Sequence, residues 1–322
     1  MRTNTAFANF AWGTLIFNLG VILWGAYVRA SGSGAGCGSH WPLCNGAVLP
    51  RPERLTTIIE FIHRGTSGLA FLIVIVLFLM AWRAYPKGHA VRRGATASVL
   101  FMVSEALVGA GLVLFGLVDD NSSVARAVTG AVHLGNTFLL LASLSLTAWC
   151  ASGGTLGRPQ FKEPATWVLG LALFGFLILG MSGAVTALGD TLYPSNSLAA
   201  GLQQDFAVTS HYLIRIRAIH PLLAIGVGFY LIFASGWLNR RHLKQGTGFL
   251  ERLLLGLILT QLIGGFINVY LLAPIWMQLV HLLIADLLWI ALVLYSARML
   301  GRSSRESIIV LNEQAATHPG SQ

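Results

Sequence analysis

The stretch Glu60-Phe61-Ile62-His63-Arg64 places an acid, an imidazole and a guanidinium at the start of a long apolar segment. With its approach from Thr56, the apolar run 68–82 is long enough to cross a bilayer core of about 30 Å. Ionisable groups cost about 2.5–3.5 kcal/mol each at membrane depth, so they normally face a bundle interior, a cavity or a cofactor. We therefore interpret the stretch as functional. The alternative is a helix end at which Glu60 and Arg64 simply pair.

The composition indicates an integral membrane protein. Of the 322 residues, 55% are hydrophobic and 10% are charged, against roughly 25% charged in soluble domains. The net charge of +9 is spread between apolar segments and forms no patch. We therefore predict a lipid bilayer as the surroundings and no nucleic-acid partner.

Apolar runs predict an all-α fold with eight transmembrane helices. The predicted spans are 11–30, 56–82, 94–118, 125–150, 165–188, 208–237, 250–273 and 276–299. The loops and termini on one side hold 14 of the 21 lysines and arginines. The positive-inside rule makes that side cytoplasmic, so both termini are expected in the cytoplasm.

The cysteines divide between the two sides. Cys37 and Cys44 lie in the first outer loop, whereas Cys150 lies at the cytoplasmic end of the fourth span. An oxidising exterior permits a disulfide between Cys37 and Cys44. The pair can be a structural staple or a redox-active pair, and a zinc site with His40 is a weaker alternative because the ligands are too close together for tetrahedral geometry.

The order of the spans contains a repeat of four helices. Residues 28–32 align with 185–189 and His63 with His220 at an offset of 157, residues 107–110 align with 262–265 at 155, and 132–134 align with 280–282 at 148. Because each unit has an even number of spans, both copies have the same orientation and form two four-helix bundles related by a pseudo-twofold axis along the membrane normal. The predicted halves are 1–155 and 156–302, followed by a polar cytoplasmic tail at 303–322.

The repeat singles out four histidines, each near the outer end of an even-numbered span. These are His63, His133, His220 and His281. Two imidazoles at matched depth on neighbouring helices are what bis-His haem ligation requires. Hydrogen bonding between helices is one alternative, and a metal site without haem is another.

Arginines near the outer helix ends are candidate partners for haem propionates, with interfacial snorkelling as the alternative. The candidates are Arg64, Arg126, Arg215 and Arg217. The two halves also differ, because the offset of 157 carries Glu60 onto Arg217. We therefore predict a working site in the first half and a supporting site in the second. Glu105 and Asp286 are further acids within the spans, and Glu105 is either on a proton path or a helix–helix hydrogen-bonding residue.

Taken together, these residues resemble the haem A synthase family over all eight spans. The resemblance rests on the motif 60–64, on Cys37 and Cys44, and on the other three histidines at their repeat positions. Some relatives have a second cysteine pair between spans five and six. Residues 189–209 contain none here, which puts any relay through a second disulfide in doubt.

The resemblance implies an oxidoreductase of the bacterial cell (inner) membrane that oxidises a methyl group of haem O to the formyl group of haem A. His63 and His133 would hold the substrate haem, His220 and His281 a permanent haem b, and Glu60 would be catalytic. The haem sites would lie towards the outer face. Expected partners are a membrane electron donor or acceptor, haem O synthase and the machinery of cytochrome oxidase assembly.

Two other functions fit the same histidines. One is a di-haem b-type cytochrome that exchanges electrons with quinol, which needs no acid at position 60. The other is a haem transporter or chaperone, for which a parallel repeat is a common architecture.

Overall fold

The computed structural model describes residues 4–51, 54–157, 159–241 and 248–317. The helices are α1 (Thr5–Ala30), α2 (Leu55–Ala84), α3 (Ala90–Leu114), α4 (Val124–Ala151), α5 (Pro164–Leu192), α6 (Leu198–Phe206), α7 (Tyr212–Arg217), α8 (Ile219–Arg241), α9 (Gly248–Tyr270) and α10 (Ile275–Thr317). In the described ranges, eight segments are long and apolar enough to cross a membrane, with α7 and α8 together forming the sixth. The predicted all-α membrane fold with eight spans is confirmed.

The sixth and eighth spans depart from their predicted form. The sixth span is interrupted at Ala218, because Pro221 has no N–H to donate to the carbonyl of Arg217 and a helix cannot run unbroken through it. The helix of the eighth span continues through Thr317 into the predicted tail, whose residues 318–322 lie outside the described residues. Between α5 and α7, where the apolar pattern indicated only a loop, the chain forms α6.

The eight long helices pack as two rings of four. In the first ring α1, α2, α3 and α4 contact one another in chain order, and α4 closes the ring on α1. In the second, α5, α8, α9 and α10 do the same. Helices α1 and α4 form the seam with α5 and α10. The contact of α1 with α10 is equivalent to that of α5 with α4, as a parallel repeat requires.

An aromatic stack fills part of this seam. The ring of Phe138 on α4 lies 5.4 Å from Trp289 on α10 and 5.8 Å from Phe176 on α5, and all three side chains are buried. Trp289 donates its indole N–H to the carbonyl of Phe138 at 2.6 Å. The offset of 148 that relates His133 to His281 also relates Phe138 to Asp286. Asp286 is fully buried, and neither of its carboxyl oxygens has a hydrogen-bond partner among the described residues.

One face of the molecule, here called the disulfide face, is formed by residues 31–51, 115–123, 193–218 and 271–274. On it, Cys37 and Cys44 form a disulfide, while Cys150 is a free, buried thiol near the opposite face. Arg29 ties α1 to the second ring, because it donates to the carbonyl of Ala187 and the hydroxyl of Thr191, both at 2.7 Å, and to the side-chain carbonyl of Gln278 at 2.9 Å.

Helices α1, α3, α4 and α9 end in the same hydrogen-bonded cap, in which one residue adopts a positive φ. In three of them that residue is glycine, at positions 32, 116 and 153. In α9 it is Leu272, with φ 62°, and the next residue, Ala273, also has a positive φ of 51°. Leu272 lies 156 residues after Gly116 in the equivalent helix of the other half. A side chain makes this conformation costly by about 1–2 kcal/mol, so the second copy of the cap is strained.

We expect the exchange of these two cap residues to have opposite effects on stability. Gly116→Leu should lower the free energy of unfolding by about 1–2 kcal/mol. Leu272→Gly should not lower it and should raise it by up to about 1 kcal/mol, since the Leu272 side chain is 38% exposed and little packing is lost. Thermal unfolding in detergent measures both, with Leu271→Gly as the control at a neighbouring position of ordinary φ. Equal destabilisation by all three variants would contradict the cap assignment.

Alkylation should separate the three cysteines by their bonding. In protein unfolded in detergent without a reductant, we expect a thiol reagent to label Cys150 alone, because Cys37 and Cys44 are joined. After reduction all three should be labelled. Mass spectrometry of the peptides measures the result, and labelling of Cys37 or Cys44 before reduction would contradict the structure.

Candidate functional site

The carboxylate of Glu60 is fixed between its own helix and the first loop of the disulfide face. Its Oε2 accepts a hydrogen bond from the backbone N–H of Cys37 at 2.7 Å. Its Oε1 accepts from Arg64, one helical turn further along α2, through Nε at 3.0 Å and through Nη2. The side chain is 3% exposed. Both oxygens therefore have donors, and the carboxylate is held in one orientation.

Arg64 and Thr57 complete the attachment of the loop. Arg64 donates through Nη1 to the carbonyl of Leu43 at 2.6 Å and to that of His40 at 2.5 Å. Thr57 donates its hydroxyl to the carbonyl of Gly36 at 2.8 Å. The loop closed by the disulfide thus binds to one face of α2 above His63. The simple pairing of Glu60 with Arg64 is present, and the same pair also anchors the loop.

Each of the four histidines lies against a glycine on the neighbouring helix. A methyl group built on the glycine would lie 2.8 Å from His63 Cε1 at Gly25, 3.0 Å from His220 Cε1 at Gly183, 3.2 Å from His281 Cε1 at Gly265 and 3.8 Å from His133 Cε1 at Gly109. At the first three positions any side chain would displace the imidazole. These glycines were not singled out from the sequence as neighbours of the histidines.

The histidines form one pair in each half. His133 on α4 is near enough to His63 on α2 for charges on the two rings to interact, and His220 on α8 is similarly near His281 on α10. All four side chains are partly exposed. Each half therefore presents two imidazoles, from non-adjacent helices of its ring, to a common space.

The nitrogens of these imidazoles have unequal surroundings. Nδ1 of His220 hydrogen bonds to the hydroxyl of Ser182 at 2.9 Å, whereas Nδ1 of His63, His133 and His281 is buried without a hydrogen-bond partner in the described part of the chain. A buried nitrogen with no partner is costly unless a ligand or a metal ion completes the site. At His133 this nitrogen lies 3.4 Å from Oε1 of Glu105. Paired imidazoles that lie against glycines, with buried nitrogens lacking partners at His63 and His281, fit the edge of a porphyrin and ligation of its iron.

The four candidate arginines have different environments. Arg126 is buried and donates to the carbonyls of Asp119 and Asn121 in the turn before α4. Arg217 is paired with Asp190 at 3.3 Å and with Asp205 at 2.7 Å. Arg64 is occupied by the loop. Arg215 is exposed and has no hydrogen-bond or ion-pair partner among the described residues.

Arg217 has a role that sequence reasoning missed. It occupies the repeat position of Glu60, and through its two aspartates and the carbonyl of Tyr193 it anchors the segment 193–206. The equivalent positions of the two halves therefore both attach a loop of the disulfide face, with opposite charges. Asp205 was not recognised as a partner of Arg217 because the apolar pattern did not predict α6, the helix on which it lies.

The chain was compared with known proteins. A family model described as "Cytochrome oxidase assembly protein" (COX15-CtaA) matches residues 8–55 and 51–293. The Heme A synthase of Staphylococcus carnosus is 29% identical over 290 residues, which cover 88% of this chain and 91% of that protein. The Heme A synthase of Alkalihalophilus pseudofirmus is 31% identical over 288 residues, or 84% of this chain and 90% of that protein.

A more similar relative is longer. A "Protoheme IX farnesyltransferase" of Thermus thermophilus is 52% identical over 305 residues, which cover 92% of this chain and 49% of that protein. The chain therefore spans about half the length of this relative. The match of the family model extends over both rings of helices. The chain belongs to the COX15-CtaA family of cytochrome oxidase assembly proteins, the haem A synthase family that its sequence resembles.

Proposed function

We propose that this protein is a haem A synthase, which oxidises a methyl group of haem O to the formyl group of haem A. The observation that carries the proposal is the asymmetry between two otherwise equivalent histidine pairs. Both halves provide two imidazoles against glycines, but only the first half places a fixed, buried carboxylate three residues before a histidine. One half thus has the groups for chemistry, and the other has only those for holding a haem.

In this proposal His63 and His133 would hold the substrate haem O, and His220 and His281 would hold haem b. When bound, haem b supplies one-electron transfer, which a methyl oxidation requires and amino-acid side chains do not provide. The protein's contribution is orientation. Gly25 and Gly183 set the distance between α1 and α2 and between α5 and α8, so that each imidazole keeps its position at the site.

Glu60 acts on the substrate in the first half. Since the Cys37 N–H and Arg64 hold its oxygens, the carboxylate keeps its orientation without reorganisation during the reaction. A preorganised negative charge of this kind stabilises positive charge that develops on the methyl carbon, or takes up the proton that leaves it. Arg215 is the candidate propionate partner that the structure leaves free, on the disulfide face.

The localisation follows from the charge distribution. With most lysines and arginines on the face opposite the disulfide, we infer a bacterial cell-membrane protein with both termini in the cytoplasm and the haem sites towards the outer side. The Cys37–Cys44 disulfide agrees with this orientation, because disulfides persist in an oxidising exterior. Membrane electron carriers and the machinery of cytochrome oxidase assembly are the expected partners.

A second candidate function is suggested by the longer Thermus relative, whose name describes farnesyl transfer to protoheme IX. The chain covers only half of that protein, and the relatives matched over most of their length are named Heme A synthase. We therefore propose that farnesyl transfer to protoheme IX is the reaction of another enzyme, a haem O synthase, which supplies haem O as the substrate of this chain. That enzyme is then a partner of this protein.

Product analysis separates these functions. The protein is expressed in a host that supplies haem O, and the haems of the membranes are extracted and separated by chromatography. Haem A or its alcohol intermediate is expected. Haem O formed from protoheme IX and farnesyl diphosphate by the purified chain would support the farnesyltransferase instead, and haem b alone would support a di-haem cytochrome.

We expect the second half to hold haem b independently of the first. His220→Ala and His281→Ala should each abolish the low-spin b-type spectrum of the purified protein, because one axial ligand is lost. His40→Ala, at an exposed histidine of the first loop, should leave the spectrum unchanged. In a host that makes no haem O, so that the first half has no substrate haem, a bis-His spectrum in the double variant at 220 and 281 would show that the haem b assignment is wrong.

Glu60→Gln should separate chemistry from loop attachment. The amide keeps the shape, but its NH₂ group faces a donor, which costs stability by about 1–3 kcal/mol. We expect the variant to keep haem b and to bind substrate haem, while product formed per bound haem falls by about a hundredfold or more. Haem content and product are measured by extraction and chromatography.

The matched control is Thr57→Val, which removes the loop contact with Gly36 and leaves the carboxylate in place. It should weaken the loop without this loss of product per bound haem. Should Glu60→Gln behave like Thr57→Val, with haem content reduced and product per haem nearly normal, Glu60 would be an anchor of the loop and not a catalytic residue.

A further inference from the structure

The third helices of the two halves are equivalent at an offset of 156 residues, one more than the sequence pattern suggested. This offset relates Gly109 to Gly265, each of which lies against a histidine. It also relates the cap residues Gly116 and Leu272. At the same offset, Glu105 corresponds to Gln261. Both lie one helical turn before the glycine, and both side chains reach the histidine of the following span.

Glu105 is fixed beside His133. Its Oε1 lies 3.4 Å from Nδ1 of His133, a close contact that is not aligned as a hydrogen bond. The same oxygen accepts from the hydroxyl of Thr137, and Oε2 accepts from the side-chain amide of Asn136. Asn136 is itself held by Ser104, which donates to its carbonyl oxygen at 2.6 Å. The carboxylate is therefore oriented towards the imidazole by a hydrogen-bonded network.

Gln261, the equivalent residue of the second half, carries no negative charge and contacts the other imidazole nitrogen of its histidine. Its Nε2 lies 3.1 Å from Nε2 of His281, and its Oε1 is buried without a partner in the described part of the chain. The repeat positions of Asn136 and Thr137 are Ile284 and Ala285, at the offset of 148, so no equivalent network exists there. One histidine of each pair thus has a carboxylate neighbour in the first half and a neutral amide in the second.

Groups around an axial histidine change the electron density that it donates to iron. A carboxylate next to the imidazole makes it a stronger donor and stabilises the oxidised iron, whereas an amide does so much less. We propose that Glu105 and Gln261 are positioning residues that act through His133 and His281 and give the two haem sites different reduction potentials, with the lower potential in the first half. This inference rests on the proposed haem binding and adds a direction for electron flow, from the first site to the second.

The sharpest test exchanges the two residues one at a time. In Gln261→Glu, the midpoint potential of the second-half haem b should shift to lower values, and its low-spin electron paramagnetic resonance signal should move towards that of a stronger ligand field. In Glu105→Gln, the potential of the first-half haem should rise. Redox titration and spectroscopy of the purified haem protein measure both, without reference to haem A formation.

Two controls separate this effect from others. Gln278→Glu adds the same charge one helical turn before His281 on α10, but at a residue bound to Arg29, whose positive charge offsets it. It should shift the potential of haem b less than Gln261→Glu does. Thr137→Val loosens the Glu105 network while keeping the carboxylate, and its effect on the first-half potential should be smaller than that of Glu105→Gln.

The outcomes distinguish this inference from the proposed function. Equal shifts in Gln261→Glu and Gln278→Glu would reduce the effect to general charge and overturn the inference. Unchanged potentials in both exchange variants, with haem bound, would overturn it while leaving the synthase intact. The expected shifts in a protein that forms no haem A would uphold the inference and refute the synthase. If the unaltered protein binds no haem, both are wrong.

Discussion

The arrangement of this protein depends on the close approach of an imidazole to a glycine on the next helix, made four times. Small residues let helices approach closely in a membrane, where no hydrophobic driving force brings them together. Here each glycine leaves room for an imidazole, a polar side chain whose burial in a membrane is energetically costly. Gly25 and Gly183 determine where α2 and α8 can lie, and Gly109 and Gly265 do so for α4 and α10. The same glycine–imidazole contacts therefore determine both the packing of the four helices and the positions of the histidine pair inside the ring.

On this common plan the two halves have diverged in charge. The first half has Glu60 against the disulfide loop and Glu105 against His133. The second has Arg217 and Gln261 at the equivalent positions. Both members of each pair make similar attachments, so the scaffold tolerated the exchange of an acid for a base or an amide. The chemistry of the sites could therefore change while the packing of the helices stayed the same.

Sequence reasoning found the spans and the histidines because apolar segments of membrane-spanning length and two copies of a four-helix unit are strong signals. It did not find contacts that depend on how loops fold. The ion pair of Arg217 with Asp205 requires α6, a short helix whose nine residues carry no span-length apolar pattern. The equivalence of Glu105 and Gln261 depends on a repeat register that differs by one residue from the one the pattern indicated. The glycine contacts were missed because hydropathy and polarity patterns are read from side chains, and glycine has none.

The even number of spans in each half has a consequence for how such a protein can arise. A unit of four helices begins and ends on the same side of the membrane, so two copies can be joined through a short connection such as 152–163 without inverting either one. Before fusion, two such units would meet across the α1–α4 surface as a symmetric dimer. The aromatic stack of Phe138, Phe176 and Trp289, present on one side of the seam only, could evolve only after duplication had freed the two copies from identity. The seam is thus a part of the molecule in which the two halves are no longer equivalent.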